Sequence, residues 1–194
     1  MRSPGAVALR VMDAMGDAEV LDRAVAGLMA ASEHALGGKA VSAAHGRGGR
    51  AAQRWARFWE GTWLGHSLHP LLSDFVEGPW MAASFLDVFG PEGSAPAAER
   101  LLGFGLFVAV PCYLAGLADW RQASEPGDRR VGLIHLVAVS LATGLYGLSY
   151  AARRTGRHRK GALLGLAGGS VAMVDGYIGG HLSHVRGVAG GCHA

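Results

Sequence analysis

Four stretches of mainly apolar residues occupy the last two-thirds of the chain, at positions 63–88, 101–117, 131–152 and 161–185. Each approaches the roughly 20 residues that an α-helix needs to cross about 30 Å of hydrocarbon. The second is almost wholly apolar and ends at Asp119-Trp120, and the third is broken only by His135. Asp175 and two terminal histidines interrupt the fourth. The first is less regular, carrying His66, His69, Pro70, Asp74, Glu77, Pro79 and Asp87, and its assignment is inferred rather than dictated by hydropathy. Turn signals at Pro91-Glu92-Gly93-Ser94 and Glu125-Pro126-Gly127-Asp128, and a basic run at 153–160, separate the stretches. Short connections of this kind predict an all-α integral membrane protein, an antiparallel bundle of four transmembrane helices over residues 61–188. Gly165, Gly168, Gly169 and Ala172 are small enough to let helices approach closely.

Residues 1–60 read differently, as a water-exposed extension. Val20, Leu21, Val25, Leu28 and Met29 recur at helical spacing, with Asp22, Arg23 and Glu33 elsewhere around the wheel. That pattern predicts an amphipathic helix over 18–36, lying on a membrane or partner or packed against the rest of the chain. Gly37, Gly38 and the run from His45 to Arg50 interrupt the pattern and predict a linker. Arg50, Arg54 and Arg57 then alternate with Trp55, Phe58 and Trp63, the mixture found where a chain meets a bilayer surface. Residues 189–194 are expected to form a short tail.

Composition agrees. Of 194 residues, 50% are hydrophobic and 17% charged, against about 25% charged in a soluble domain. The net charge of +3 does not point to nucleic acid, because the basic residues sit in short clusters between apolar runs. Cys112 and Cys192 belong to no CxxC motif, so neither a disulfide framework nor a zinc knuckle is specified. A GxSxG elbow, a P-loop, a dinucleotide glycine fingerprint and an HExxH helix are all absent from the sequence. The first thirty residues show no basic start followed by an apolar core, so the helices are expected to act as their own insertion signals. In the four-helix arrangement, eight basic residues flank one side and six the other. The positive-inside rule therefore leaves orientation open, with a lean towards a cytoplasmic N-terminus. Oligomeric state is open as well, and a homo-oligomer is compatible with the pattern.

That arrangement would also gather histidines. His66 and His69 open the first span, His135 lies about one turn into the third, and His181 and His184 close the fourth, so five of the nine histidines come to one membrane face. His66 and His69, like His181 and His184, are i,i+3 pairs that share a helix face. An ionisable group in a membrane helix is a functional candidate, and neutral imidazole ligates haem iron, zinc and copper. His66, His69, His135, His181 and His184 are the candidate cofactor-binding residues, with His69, His135 and His181 as ligands of haem iron or another metal. Asp74, Glu77, Asp119 and Asp175 would hold a ring N–H of a ligating histidine or accept protons. The competing reading has the imidazoles bonded to Asp74, Asp119, serines or backbone carbonyls, simply tying helices together. Asp87 reads as an interfacial cap and His158 as a solvated loop residue.

The run from Gly61 to Trp80, Gly-Thr-Trp-Leu-Gly-His-Ser-Leu-His-Pro-Leu-Leu-Ser-Asp-Phe-Val-Glu-Gly-Pro-Trp, followed by Leu86-Asp87, resembles the opening of the bacterial membrane domain-of-unknown-function family 2231. Gly176-Tyr-Ile-Gly-Gly-His-Leu-Ser-His-Val-Arg-Gly-Val188 is similar to that family's closing signature, and Asp119-Trp120 and His135 sit where it tends to carry Asp-Trp and His. The resemblance covers about residues 57–188 and implies a four-helix transmembrane domain in a bacterial cytoplasmic membrane. Some relatives continue into a Rieske-type iron–sulfur domain, which implies a redox setting by association. Here the final Gly191-Cys-His-Ala194 carries no pair of Cys-x-His motifs. Ser67 stands where a proline is frequent, and Phe75-Val76-Glu77 replaces a proline-containing apolar stretch. The functional expectation is a redox-linked module that binds b-type haem and exchanges electrons with a quinone or a partner protein; whether it catalyses a reaction is left open. The alternatives are a cofactor-free scaffold that recruits a partner, and a histidine-lined protein that handles a metal or protons.

Overall fold

The computed structural model describes residues 19–35 and 47–187, with side chains at 21–32, 53–183 and 185–187. The expected tail and the linker portion at 36–46 lie outside the described residues. What is described is helical: α1 (Glu19–Ala35), α2 (Arg47–Trp59), α3 (Leu68–Phe89), α4 (Ala95–Arg121), α5 (Pro126–Arg154) and α6 (His158–Gly180), the last running into a π-helical turn, His181–Val185. Three of them, α4, α5 and α6 with the start of the π-turn, are long and apolar enough to cross a membrane. Helix α3 has the length but carries Asp74, Glu77 and Asp87 among its 22 residues.

Two boundaries differ from the sequence expectation. The linker ends earlier than Arg50: α2 starts at Arg47, since glycines are tolerated in a first turn and Ala51, Ala52, Gln53 and Arg54 that follow are good helix formers. The first apolar stretch becomes helical at Leu68, not at residue 63. Proline is best accommodated in the first turn of a helix, where its missing N–H has no intrahelical partner, although Pro79 lies further along the same helix. Pro70 suits a helix that starts at Leu68, and His66 lies outside it.

The described residues divide into two units, one of 19–35, 47–67, 114–135 and 178–187, the other of 68–113 and 136–177. In the second unit, Val76, Trp80, Ala83, Ala98, Leu102, Val108, Ala109, Cys112 and Tyr146 form the core. The Trp80 and Tyr146 rings stack with centroids 4.2 Å apart. Glycine makes this packing achievable: a Cβ on Gly105 would overlap the Trp80 indole, and one on Gly168 would press on Tyr146. Around this core, Phe75, Met81, Phe85, Phe107, Val110, Leu141, Leu148, Leu163 and Met173 are exposed. Large apolar side chains displayed over so many helical faces fit contact with lipid rather than with water.

In the first unit, α1 lays Val25, with Leu21, Leu28 and Met29, against Trp120, Leu133 and Leu117. The amphipathic helix thus packs on the body of its own chain. Arg130 adds a bidentate pair to Asp22, with both contacts at 2.6 Å. Guanidinium binding holds the Asp22 carboxyl below its ordinary range. A second cluster joins Val131 and Ile134 of α5 to Ile178 of α6 and Leu182 of the π-turn.

Candidate functional site

His69 lies in the first turn of α3, half-buried, and its ring Nδ1 is 3.1 Å from the Cys112 carbonyl oxygen on α4. A carbonyl only accepts, so Nδ1 carries the proton and Nε2 the lone pair. A backbone carbonyl oxygen has two lone pairs, so that of Cys112 can accept from His69 in addition to a helical N–H. Ser73 completes the group: its hydroxyl donates to the His69 carbonyl at 3.0 Å and lies 3.5 Å from the Cys112 thiol.

His66 is placed elsewhere. It sits in the turn before α3, exposed, with Nδ1 2.8 Å from the Ser67 carbonyl next to it. The expected face-sharing of His66 and His69 is therefore corrected: only His69 is on the helix. The adjoining Ser67 donates through a short hydrogen bond to the buried Asp119. Asp119 accordingly secures the turn before α3 to α4, and what it holds is a serine.

At the end of α6 the backbone widens into the π-turn, closed by the Arg186 N–H donating to the His181 carbonyl at 3.1 Å. The expected face-sharing of His181 and His184 falls on the His184 side chain, which lies outside the described residues. The buried His181 ring accepts at Nε2 from the Arg186 Nε–H at 3.1 Å. Arg186 also donates to Asp128 at 2.8 Å, in the first turn of α5. An Asp128–Arg186–His181 chain thus closes the end of the π-turn onto α5. It occupies the one lone pair with which His181 could bind a metal. His135, half-buried on α5, faces the backbone of α6: a Cβ on Gly179 would stand 3.1 Å from its Cε1.

The expected carboxylates are dispersed. Asp74 is exposed on α3, Glu77 is half-buried and Asp175 is fully buried on α6. The partner of the His69 ring N–H is a backbone carbonyl, not Asp74. Among the described residues, no three histidine, cysteine or carboxylate groups converge as a metal site would require.

Sequence reasoning missed the strongest polar contact in the second unit. Arg153 grips Asp87 through Nη1 at 2.9 Å and Nη2 at 2.5 Å, with side-chain exposures of 1% and 7%. Ser149, one turn earlier, donates to the Gly161 carbonyl at 2.6 Å. Gly161 is a necessary neighbour, because a Cβ there would meet Arg153 Cγ at 2.6 Å. The sequence places Arg153 in a basic run between two stretches and reads Asp87 as an interfacial cap. Arg186 and Asp128 were likewise overlooked as partners. One signal was present: Asp87 in a stretch meant for lipid demands a countercharge.

Comparison of the chain with protein-family models, with curated proteins and with solved structures finds no match. The resemblance to family 2231 consequently rests on the two end motifs with Asp119-Trp120 and His135, read from the sequence.

Proposed function

We propose that this chain is an integral scaffold module of a bacterial cytoplasmic membrane, with four crossings formed by α3, α4, α5 and α6, and related to family 2231 through its end motifs. Its polar side chains tie helix to helix. The observation that carries this reading is the use made of the imidazoles: the His69 N–H goes to a carbonyl of another helix, and the His181 lone pair accepts a hydrogen bond from Arg186. Such ties suit a medium in which every buried polar group needs a partner from the protein itself.

Four antiparallel crossings are supported by the order of the contacts in the second unit. His69 meets Cys112 and Trp80 meets Gly105, so rising numbers on α3 run against falling numbers on α4. Gly103 meets Tyr150 and Tyr113 meets Ser140, giving α4 and α5 the same relation. Tyr146, Ser149 and Arg153 of α5 meet Gly168, Gly165 and Gly161 of α6. An α3 that runs alongside three apolar helices in this order is most simply a fourth crossing. Its three acidic residues are then accommodated by Arg153 at Asp87, by half-burial of Glu77 and by exposure of Asp74 at the end nearer the turn.

One observation favours a second reading. A histidine that donates Nδ1–H to a carbonyl and keeps its lone pair on Nε2 has the orientation of a haem or metal ligand. One such residue suffices for five-coordinate haem. His66 and His69 both turn Nδ1 towards a carbonyl, but only His69 stands on a helix, and the His181 lone pair is used by Arg186; a three-ligand metal centre lacks its donors among the described residues. Electron exchange with a quinone or partner protein belongs to this second reading. The full-length chain, purified from membranes, decides between the two by its reduced-minus-oxidised spectrum. The scaffold reading expects no b-type α-band. A band that vanishes in His69→Ala replaces it with the haem reading.

A further inference from the structure

Helix α2 displays its large side chains outwards. Trp55 is 48% exposed, Phe58 44% and Trp63, in the turn after the helix, 59%. Water alone gives no reason for three large rings to be displayed together. Nor are they loose. Phe58 stacks on Trp55 at 6.4 Å with a 17° tilt, and Trp63 stacks on Phe58 at 5.9 Å with an 11° tilt. Gly61, at φ 73°, allows the chain to fold back after the helix and bring Trp63 to the helix end. The Trp63 indole N–H then donates to the Phe58 carbonyl at 3.2 Å, and the Thr62 hydroxyl donates to the Arg57 carbonyl at 3.1 Å. The helix terminus is thereby capped and the three rings are held in one row.

Cations border that row. With about 100° between successive residues, Arg57, Arg54, Phe58 and Trp55 follow one another around the exposed arc, while Trp59 is buried. Arg54 and Arg57 are exposed. Arginine binds phosphate oxygens bidentately, and indoles settle at the level of lipid headgroups. The short turn 60–67 leads from this helix into α3.

We propose that α2 and the turn after it form a preorganised seat for anionic phospholipid: Trp55, Phe58 and Trp63 enter the headgroup layer, and Arg54 and Arg57 hold lipid phosphates. This goes beyond the scaffold reading and rests on its membrane placement. Resistance of the protein to alkaline carbonate extraction tests that placement separately, so the two can fail independently.

The test reconstitutes the full chain in phosphatidylcholine nanodiscs carrying spin-labelled phosphatidylglycerol or spin-labelled phosphatidylcholine. The wild type is expected to retain phosphatidylglycerol preferentially. Arg54→Gln/Arg57→Gln is expected to lower that preference by up to about fivefold per arginine; Arg54→Lys/Arg57→Lys keeps the charge and most of the preference. A glutamine variant with the wild-type preference overturns the proposal. Tryptophan fluorescence tests the rings, read as the difference between the wild type and Trp55→Phe/Trp63→Phe. Quenching of these two indoles by lipids brominated near the headgroup, with protection from acrylamide, is expected. Acrylamide access without bromine quenching overturns the proposal and shows that water or a soluble partner meets this face.

Discussion

Arg153 and Asp87 are 66 positions apart in sequence, yet form a bidentate ion pair almost wholly withdrawn from solvent. Each group would be costly to bury alone, and the pair holds α5 to the end of α3. Removing one partner leaves the other charge unpaired, at a cost of about 3–5 kcal/mol. Asp87→Ala and Arg153→Met are each expected to lower the unfolding free energy in detergent by that amount. The double variant Asp87→Leu/Arg153→Met should recover most of the loss, because no buried charge remains. Equal, additive losses in a double-mutant cycle would show that the two side chains do not act as a pair.

Glycine placement gives a second contrast. Gly105 faces the Trp80 indole so closely that any Cβ overlaps it. Gly105→Ala should destabilise by about 1–3 kcal/mol through overpacking. Gly144, also helical and not followed by proline, has nothing within 4 Å of where a Cβ would stand. Gly144→Ala should be neutral or stabilise by about 0.4–1 kcal/mol through the unfolded chain's lost freedom. Thermal unfolding of both variants in one detergent reads the difference directly, and a similar response from both would contradict the packing described.

The docking of α1 should depend on pH. Arg130 holds the Asp22 carboxyl below its ordinary range, and the unfolded reference is about 3.9. A carboxylate whose folded value is depressed contributes stability above its unfolded value and loses it as pH falls through the folded one. Docking of α1 is therefore expected to be constant at neutral pH and to weaken below about pH 4. Salt should weaken it too, since Asp22 is exposed. Limited proteolysis within 19–35, with an acid-tolerant protease, should accelerate in acid for the wild type and show no such acceleration for Asp22→Asn. A wild type whose cleavage does not change with pH would contradict the role given to this pair.

Much of the fold was legible because the solvent sets the rule. Continuous apolar runs at 101–117, 131–152 and 161–185 are almost unavoidable as helices, and they are helices here. The period of Val25, Leu28 and Met29 similarly announced α1, although the choice between a partner, a membrane and its own chain needed Trp120 and Leu133 to be in place. The pairings were not legible. Asp87 with Arg153, Ser67 with Asp119 and Asp128 with Arg186 each join positions more than 50 apart, and no periodicity encodes them. The π-turn was equally silent, because widening one turn to place His181 beside Arg186 leaves no mark on residue spacing.

The number of crossings is tested most directly by labelling single cysteines with a membrane-impermeant maleimide in sealed vesicles of known orientation. Thr62→Cys, Glu92→Cys and Ser124→Cys, introduced into a Cys112→Ala/Cys192→Ala background, bracket α3 and α4. Four crossings place Thr62 and Ser124 on one face and Glu92 on the other. Thr62 and Glu92 labelling from the same face, with Ser124 opposite, would mean that α3 does not cross and would contradict the account.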